Sequence, residues 1–155
     1  MPGHTVPAMI CGLAWLLLCL TARADGASAP RIPSAPRINY MLHCQGCHLP
    51  DGSGTPEKVP ALKNTVGRFL HVAGGREYLI QVPGTAQSAL TDAEVAAVLN
   101  WILENFSKEE LPADFAPYSA AEVTRFRRQP LADVSAVRAG LMARMPDRGA
   151  KAASD

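Results

Sequence analysis

The sequence predicts an all-α fold, with helices joined by loops rich in glycine and proline. Three observations carry this expectation. Apolar residues recur at helical spacing in several short runs, and no stretch alternates apolar and polar residues as a half-buried strand would. Two Ser/Thr-x-x-Glu signatures, Thr91-Asp92-Ala93-Glu94 and Ser119-Ala120-Ala121-Glu122, read as capping boxes at helix starts. The chain holds 13 Pro and 12 Gly in 155 residues, and many of them punctuate the spaces between the apolar runs. There is no internal repeat.

The elements follow in order. Residues 1–24 read as a secretory signal. The apolar stretch Met9 to Leu20 is too short to span a bilayer as a helix. Thr21-Ala22-Arg23-Ala24 ends in an Ala-x-Ala pattern suited to cleavage before Asp25. The positive n-region is only the amino terminus and His4. An uncleaved anchor is the alternative. A lipoprotein signal ending at Cys19 fits less well, because Leu18 is large where such sites take a small residue. Residues 25–37, with Pro30, Pro33 and Pro36, are expected to form an extended linker. Ile38, Tyr40, Met41 and Leu42 then lead as a short helix into a turn at Cys44. The stretch 49–60 contains Pro50, Gly52, Gly54, Pro56 and Pro60 and must be a loop.

Val66, Phe69, Leu70 and Val72 predict a short helix stopped by Gly74-Gly75. Tyr78, Leu79, Ile80 and Val82 form a second short run, ended by Pro83-Gly84. After the Thr91 box, Val95, Val98, Leu99 and Ile102 mark one face of a helix running to about Phe106. Residues 112–117 form a linker or clamp. A helix with Val123 and Phe126 follows and breaks at Pro130. Leu131, Val134, Val137, Leu141 and Met142 fit one more amphipathic helix. The division expected is a core at 38–108, a helical extension at 109–145 and a disordered tail at 146–155.

The chemistry concentrates in Cys44-Gln45-Gly46-Cys47-His48. C-x-x-C-H is the attachment sequence for c-type haem. Two thiols on one turn can each bond a haem vinyl group, and the adjacent His48 can reach the iron from the same side. A bare Cys-x-x-Cys also suits a thiol redox pair, a zinc half-site or a disulfide. The only other cysteines, Cys11 and Cys19, lie in the signal and do not complete a zinc site. No strand pattern of the thioredoxin kind surrounds Cys44. One covalent haem c per chain is the expectation. The formal charge is +1, and Arg23 would leave with the signal. A near-neutral chain without a basic stripe does not fit nucleic-acid binding.

From Ile38 to Phe106 the chain resembles the class I cytochrome c family. The resemblance rests on the Cys44–His48 motif, on Val59-Pro60-Ala61-Leu62 after it, and on the late capped helix that carries Trp101. It implies a cytochrome c-like helical fold around one covalent haem. It also implies that the Pro60 carbonyl accepts a hydrogen bond from the proximal His48 and so orients the ring. The departure is the distal side. The family usually supplies a Met there, from the loop before the last core helix. This chain has no Met between His48 and Met142, and reads Val82-Pro83-Gly84-Thr85 where a Met next to Pro is often found.

His71 is the candidate distal ligand, with an open or water-bound site, Lys58, Lys63, Asn64 or a Met of the extension as alternatives. Arg68, Arg76 and Tyr78 are candidates for the haem environment, because a guanidinium or a phenol suits a propionate. His43 is expected to point away from the iron. Trp101 is expected to pack between helices rather than conduct electrons.

These features predict a non-enzymatic electron carrier. It would be exported to the periplasm, free of a membrane span after signal cleavage, and would relay single electrons between a periplasmic dehydrogenase and a downstream acceptor. Two alternatives remain. One is a haem protein whose open distal site binds small gases or peroxide. The other is a haem-bearing subunit of a larger redox complex, with the extension as docking segment or as added packing.

Overall fold

Nine short helical segments follow one another among the described residues of the computed structural model, which are Gly3, 35–129 and 131–146. The rest of the predicted signal, residues 25–34 of the linker and residues 147–155 of the tail lie outside the described residues. The order is α1 (Ala35–His43), α2 (Gln45–His48), a 3-10 helix (Val66–His71), α3 (Gly75–Gln81), α4 (Pro83–Ala86), α5 (Asp92–Phe106), a second 3-10 helix (Lys108–Glu110), α6 (Ala120–Arg127) and α7 (Val134–Met142). The only β feature among them is an isolated antiparallel bridge between Thr55 and Val59. No described helix is long and apolar enough to cross a membrane.

The predicted all-α fold is the observed one. Its boundaries differ where proline and glycine act by position. Helix α1 starts at Ala35, inside the stretch expected to be extended. Pro36 falls in the first turn, where its missing N–H has no helical partner in any case. Gly74-Gly75 opens α3 rather than stopping the preceding helix, which ends at His71. Pro83 likewise starts α4 rather than merely ending the run before it.

Helix α5 is the spine. Its capping box forms as expected: the Thr91 hydroxyl accepts from the Glu94 N–H at 3.3 Å, and the Glu94 carboxylate accepts from the Thr91 N–H at 2.8 Å. Val95, Val98, Leu99, Ile102 and Leu103 are buried along it. Helix α1 packs against α5 through an aromatic trio. The Tyr40 ring lies 5.2 Å from that of Trp101 and 5.1 Å from that of Phe106. Such pairs add about 0.5–1.5 kcal/mol each beyond the area they bury. Trp101 thus packs at the helix junction.

The extension is folded onto the same core. Tyr118 is 4% exposed, and its backbone exchanges two hydrogen bonds with the Asn100 side chain on α5. Val123 on α6 is fully buried. The second capping box forms only in half. The Ser119 hydroxyl accepts from the Glu122 N–H at 3.2 Å, but the Glu122 carboxylate is taken by Arg76 of α3. At the end of α6, Arg127 donates to the Ala86, Ser88 and Leu90 carbonyls and pairs with Asp92 at 2.9 Å. One side chain therefore clamps the loop between α4 and α5.

Two outcomes follow from these contacts. A Cβ at Gly75 would lie 1.9 Å from the Phe69 carbonyl oxygen, whereas one at Gly74 would meet nothing closer than Leu141 at 3.8 Å. In chemical denaturation, Gly75→Ala should lose about 3 kcal/mol or more through overpacking against fixed backbone. Gly74→Ala, strained only by its φ of +85°, should lose about 1–2 kcal/mol. The Asp92 carboxyl is held below its ordinary 3.8 chiefly by the Thr124 hydroxyl and by Arg127. A depressed acid contributes stability above its ordinary value and loses it as pH falls through the folded one. The stability difference between wild type and Asp92→Asn, followed by denaturation at several pH values, should therefore shrink below pH 3.8.

Candidate functional site

The Cys44–His48 segment is built as one tight turn. The Cys44 N–H bonds the Tyr40 carbonyl at 2.9 Å and so continues α1. The Cys47 and His48 N–H groups both bond the Cys44 carbonyl, at 3.1 and 3.0 Å. This brings both thiols and the imidazole onto one turn. Leu49 then leaves at φ 58°, a conformation unusual for leucine. Tyr40 steadies that exit, since its hydroxyl donates to the Leu49 carbonyl at 2.5 Å. Burial, with Cys44 and Asp51 nearby, pushes the Tyr40 phenol up to about 12, so it remains a donor at neutral pH.

The loop that follows returns to meet His48. The Gly54 N–H bonds the His48 carbonyl at 3.3 Å, the Leu62 N–H bonds the Gly52 carbonyl at 2.8 Å, and the Thr55–Val59 bridge closes the tip. Pro60 is thereby placed so that its carbonyl accepts from His48 Nδ1 at 3.1 Å. A carbonyl can only accept, so Nδ1 carries the hydrogen and Nε2 keeps its lone pair. Burial lowers the His48 pKa, and the smaller opposing effect is the bond to Pro60. The ring is therefore neutral at pH 7, the form that binds a metal. Burial, and then the neighbouring Cys47, push the Cys44 thiol up to about 11.

Cys44, Cys47 and His48 line a cavity of about 1080 Å3. That is just above the usual range of about 300–1,000 Å3 for ligand and cofactor sites. Leu62, Val66, Phe69, Leu79, Leu99 and Ile102 supply much of its apolar wall. Phe69 stacks on Tyr78 with ring centroids 5.1 Å apart, and both face the space. A large, mainly apolar cavity with two thiols and a neutral imidazole on one turn fits a covalently held haem.

The structure sorts the sequence candidates. Pro60 and Tyr78 line the cavity with Cys44, Cys47 and His48. His71 does not. Val66 and Phe69, three apart on the 3-10 helix, turn inward and leave His71 on the exposed side. Its Nε2–H donates to the Glu110 carbonyl at 2.9 Å, which ties the two 3-10 helices together. In this structure His71 thus joins the two 3-10 helices and does not line the cavity.

Arg76 is also engaged away from the cavity lining. Its guanidinium makes a two-pronged pair with Glu122, donates to the Ala116 carbonyl at 2.7 Å and lies 4.0 Å over the Tyr118 ring. Arg68 donates to the Pro146 carbonyl at 3.1 Å and also lies outside the cavity lining. Lys63 pairs with Asp51 at 3.5 Å; neither it nor Asn64 lines the cavity, whereas Lys58 does. His43 is exposed but borders the cavity as well.

Sequence reasoning missed Arg138 and held Met142 only as one of the extension's methionines; both residues of α7 line the cavity. Arg138 lies close enough to Tyr78 to oppose the upward push of burial on that phenol. The available signal was a single arginine at helical spacing from Val134 and Met142. It became legible only once α7 was seen to wall the cavity.

No protein-family model matches the chain. Two cytochrome c-552 sequences from Thermus thermophilus are similar to it. One is 32% identical over 139 residues, covering 77% of this chain and 86% of the relative. The other is 34% identical over 106 residues, covering 57% of this chain and 81% of the relative. With the all-α fold and a cavity built around the C-x-x-C-H turn, this similarity establishes that the chain belongs to the class I c-type cytochromes and carries covalently attached haem c.

Proposed function

We propose that this cytochrome is an exported carrier of single electrons, taking them from a periplasmic dehydrogenase and passing them to a downstream acceptor. One observation supports it above the others: a neutral imidazole, oriented through Nδ1 by the Pro60 carbonyl, stands on the same turn as two thiols in the wall of one large cavity. Haem supplies reversible one-electron chemistry at its iron when bound. The chain's part is attachment, orientation and shielding. Cys44 and Cys47 would hold the group through thioethers, and His48 would offer its free Nε2 to the iron. Arg138 and Tyr78 offer N–H and O–H donors to carboxylates at the cavity wall. The apolar wall limits water and so keeps rearrangement on electron transfer small.

A second reading has its own support. His71 is turned away, and the loop between α4 and α5 contains no methionine. A distal side left open in this way suits the binding of small gases or peroxide.

Visible spectra before and after reduction, followed by carbon monoxide, separate the two. The carrier should show a low-spin spectrum that the gas leaves unchanged, whereas rapid gas binding would favour the open site. His48→Ala should abolish the low-spin spectrum even where both thioethers persist. Sequencing the amino terminus of protein recovered from the periplasm should begin at Asp25. A chain still carrying residues 1–24 would mean an uncleaved anchor.

A further inference from the structure

We propose that Met142, on the helix after the core, is the sixth ligand of the haem iron. This rests on His48 being the proximal ligand and names the group that completes the carrier.

Helix α7 presents one face to the cavity. Val134, Ser135, Arg138, Ala139 and Met142 all line it. Their spacing places them along one stripe of a helix. Met142 stands at the C-terminal end of that stripe.

Its position is held from both sides. Leu141 is 3% exposed and lies beside Gly74. Arg144 donates to the Ala73 carbonyl at 3.2 Å, and Arg68 of the first 3-10 helix donates to the Pro146 carbonyl at 3.1 Å. Asp133 caps the other end, accepting from the Ala136 N–H at 2.9 Å. The helix register is therefore set by the fold, and Met142 borders the cavity because of it.

The other donors do not compete well. His43 belongs to α1 and directly precedes Cys44, and Lys58 belongs to the loop that brings Pro60 to His48. Both come from the segments that build the proximal side. Met41 and Met145 lie outside the lining that includes Met142, and Met145 packs on the core instead. Thr85 lines the cavity from α4, but a neutral hydroxyl is a poor iron ligand beside a thioether. The loop that would hold a methionine between α4 and α5 is clamped by Arg127. A sulfur from α7 takes its place and raises the reduction potential above that of a bis-His haem.

The test uses the holoprotein and its spectra. Ferric wild type should show the weak far-red sulfur-to-iron charge-transfer band, and the reduced form should not bind carbon monoxide. Met142→Leu, close in volume, should lose the band and bind the gas, while Met145→Leu should keep the band. Met142→His should restore a gas-inert low-spin haem without the band and with a lower potential. A band that survives Met142→Leu, or a gas-inert wild type lacking the band, overturns this assignment and leaves the carrier reading standing. A wild type that lacks the band and binds the gas at once overturns both.

Discussion

The hydrogen bond from His48 Nδ1 to the Pro60 carbonyl is the interaction on which the rest of the site depends. An imidazole can offer iron only one nitrogen, and the hydrogen on the other must go somewhere once the ring is partly buried. Here it goes to a carbonyl twelve residues further along the chain. Holding that carbonyl in place requires a folded loop rather than a slack one. The Gly52 carbonyl accepts from Leu62 and Lys63, and Gly54 bonds back to the His48 carbonyl. Tyr40 fixes the turn from beneath, through the Leu49 carbonyl and through its contacts with Trp101 and Phe106. The helix junction and the proposed proximal ligand are thus set by the same tyrosine.

The extension completes the fold rather than hanging from it. Arg76 is the clearest case, because its charge is spent within the protein. A partly buried guanidinium needs its donors satisfied, and Glu122 and the Ala116 carbonyl satisfy them. The same pairing draws α6 against α3. Arg127 performs a similar task for the loop before α5, donating to three of its carbonyls. With α6 seated in this way, the chain passes on to α7, which closes one wall of the cavity.

Much of this was legible in the residues alone. The Thr91 box, the apolar face of α5 and the helix at Val134 rest on local spacing, and local spacing is what a linear chain displays. The motif at Cys44 declared the cofactor for the same reason. The differences share one cause. His71 was placed by its order along the chain, between Pro60 and the last core helix, but a 3-10 helix of six residues decided which way it faced. Glu122 matched a capping box, yet a stronger cationic partner competed for its carboxylate from another helix. Arg68 and Arg76 were weighed as propionate partners because they flank the right region, and each found a partner 46 or more residues away.

The sequence by itself determined the helical class, the covalent haem and the identity of the residues on the haem-bearing turn. These depend on groups a few residues apart, whose geometry a single helical turn dictates. Only the tertiary structure decided what else reaches the cavity. His71 is held outside it by the Glu110 carbonyl, and Arg138 and Met142 are brought in by the packing of α7 against Gly74 and Ala73, contacts between segments distant in the chain. No local pattern encodes such a contact. It follows from how the apolar faces of the whole chain are buried together.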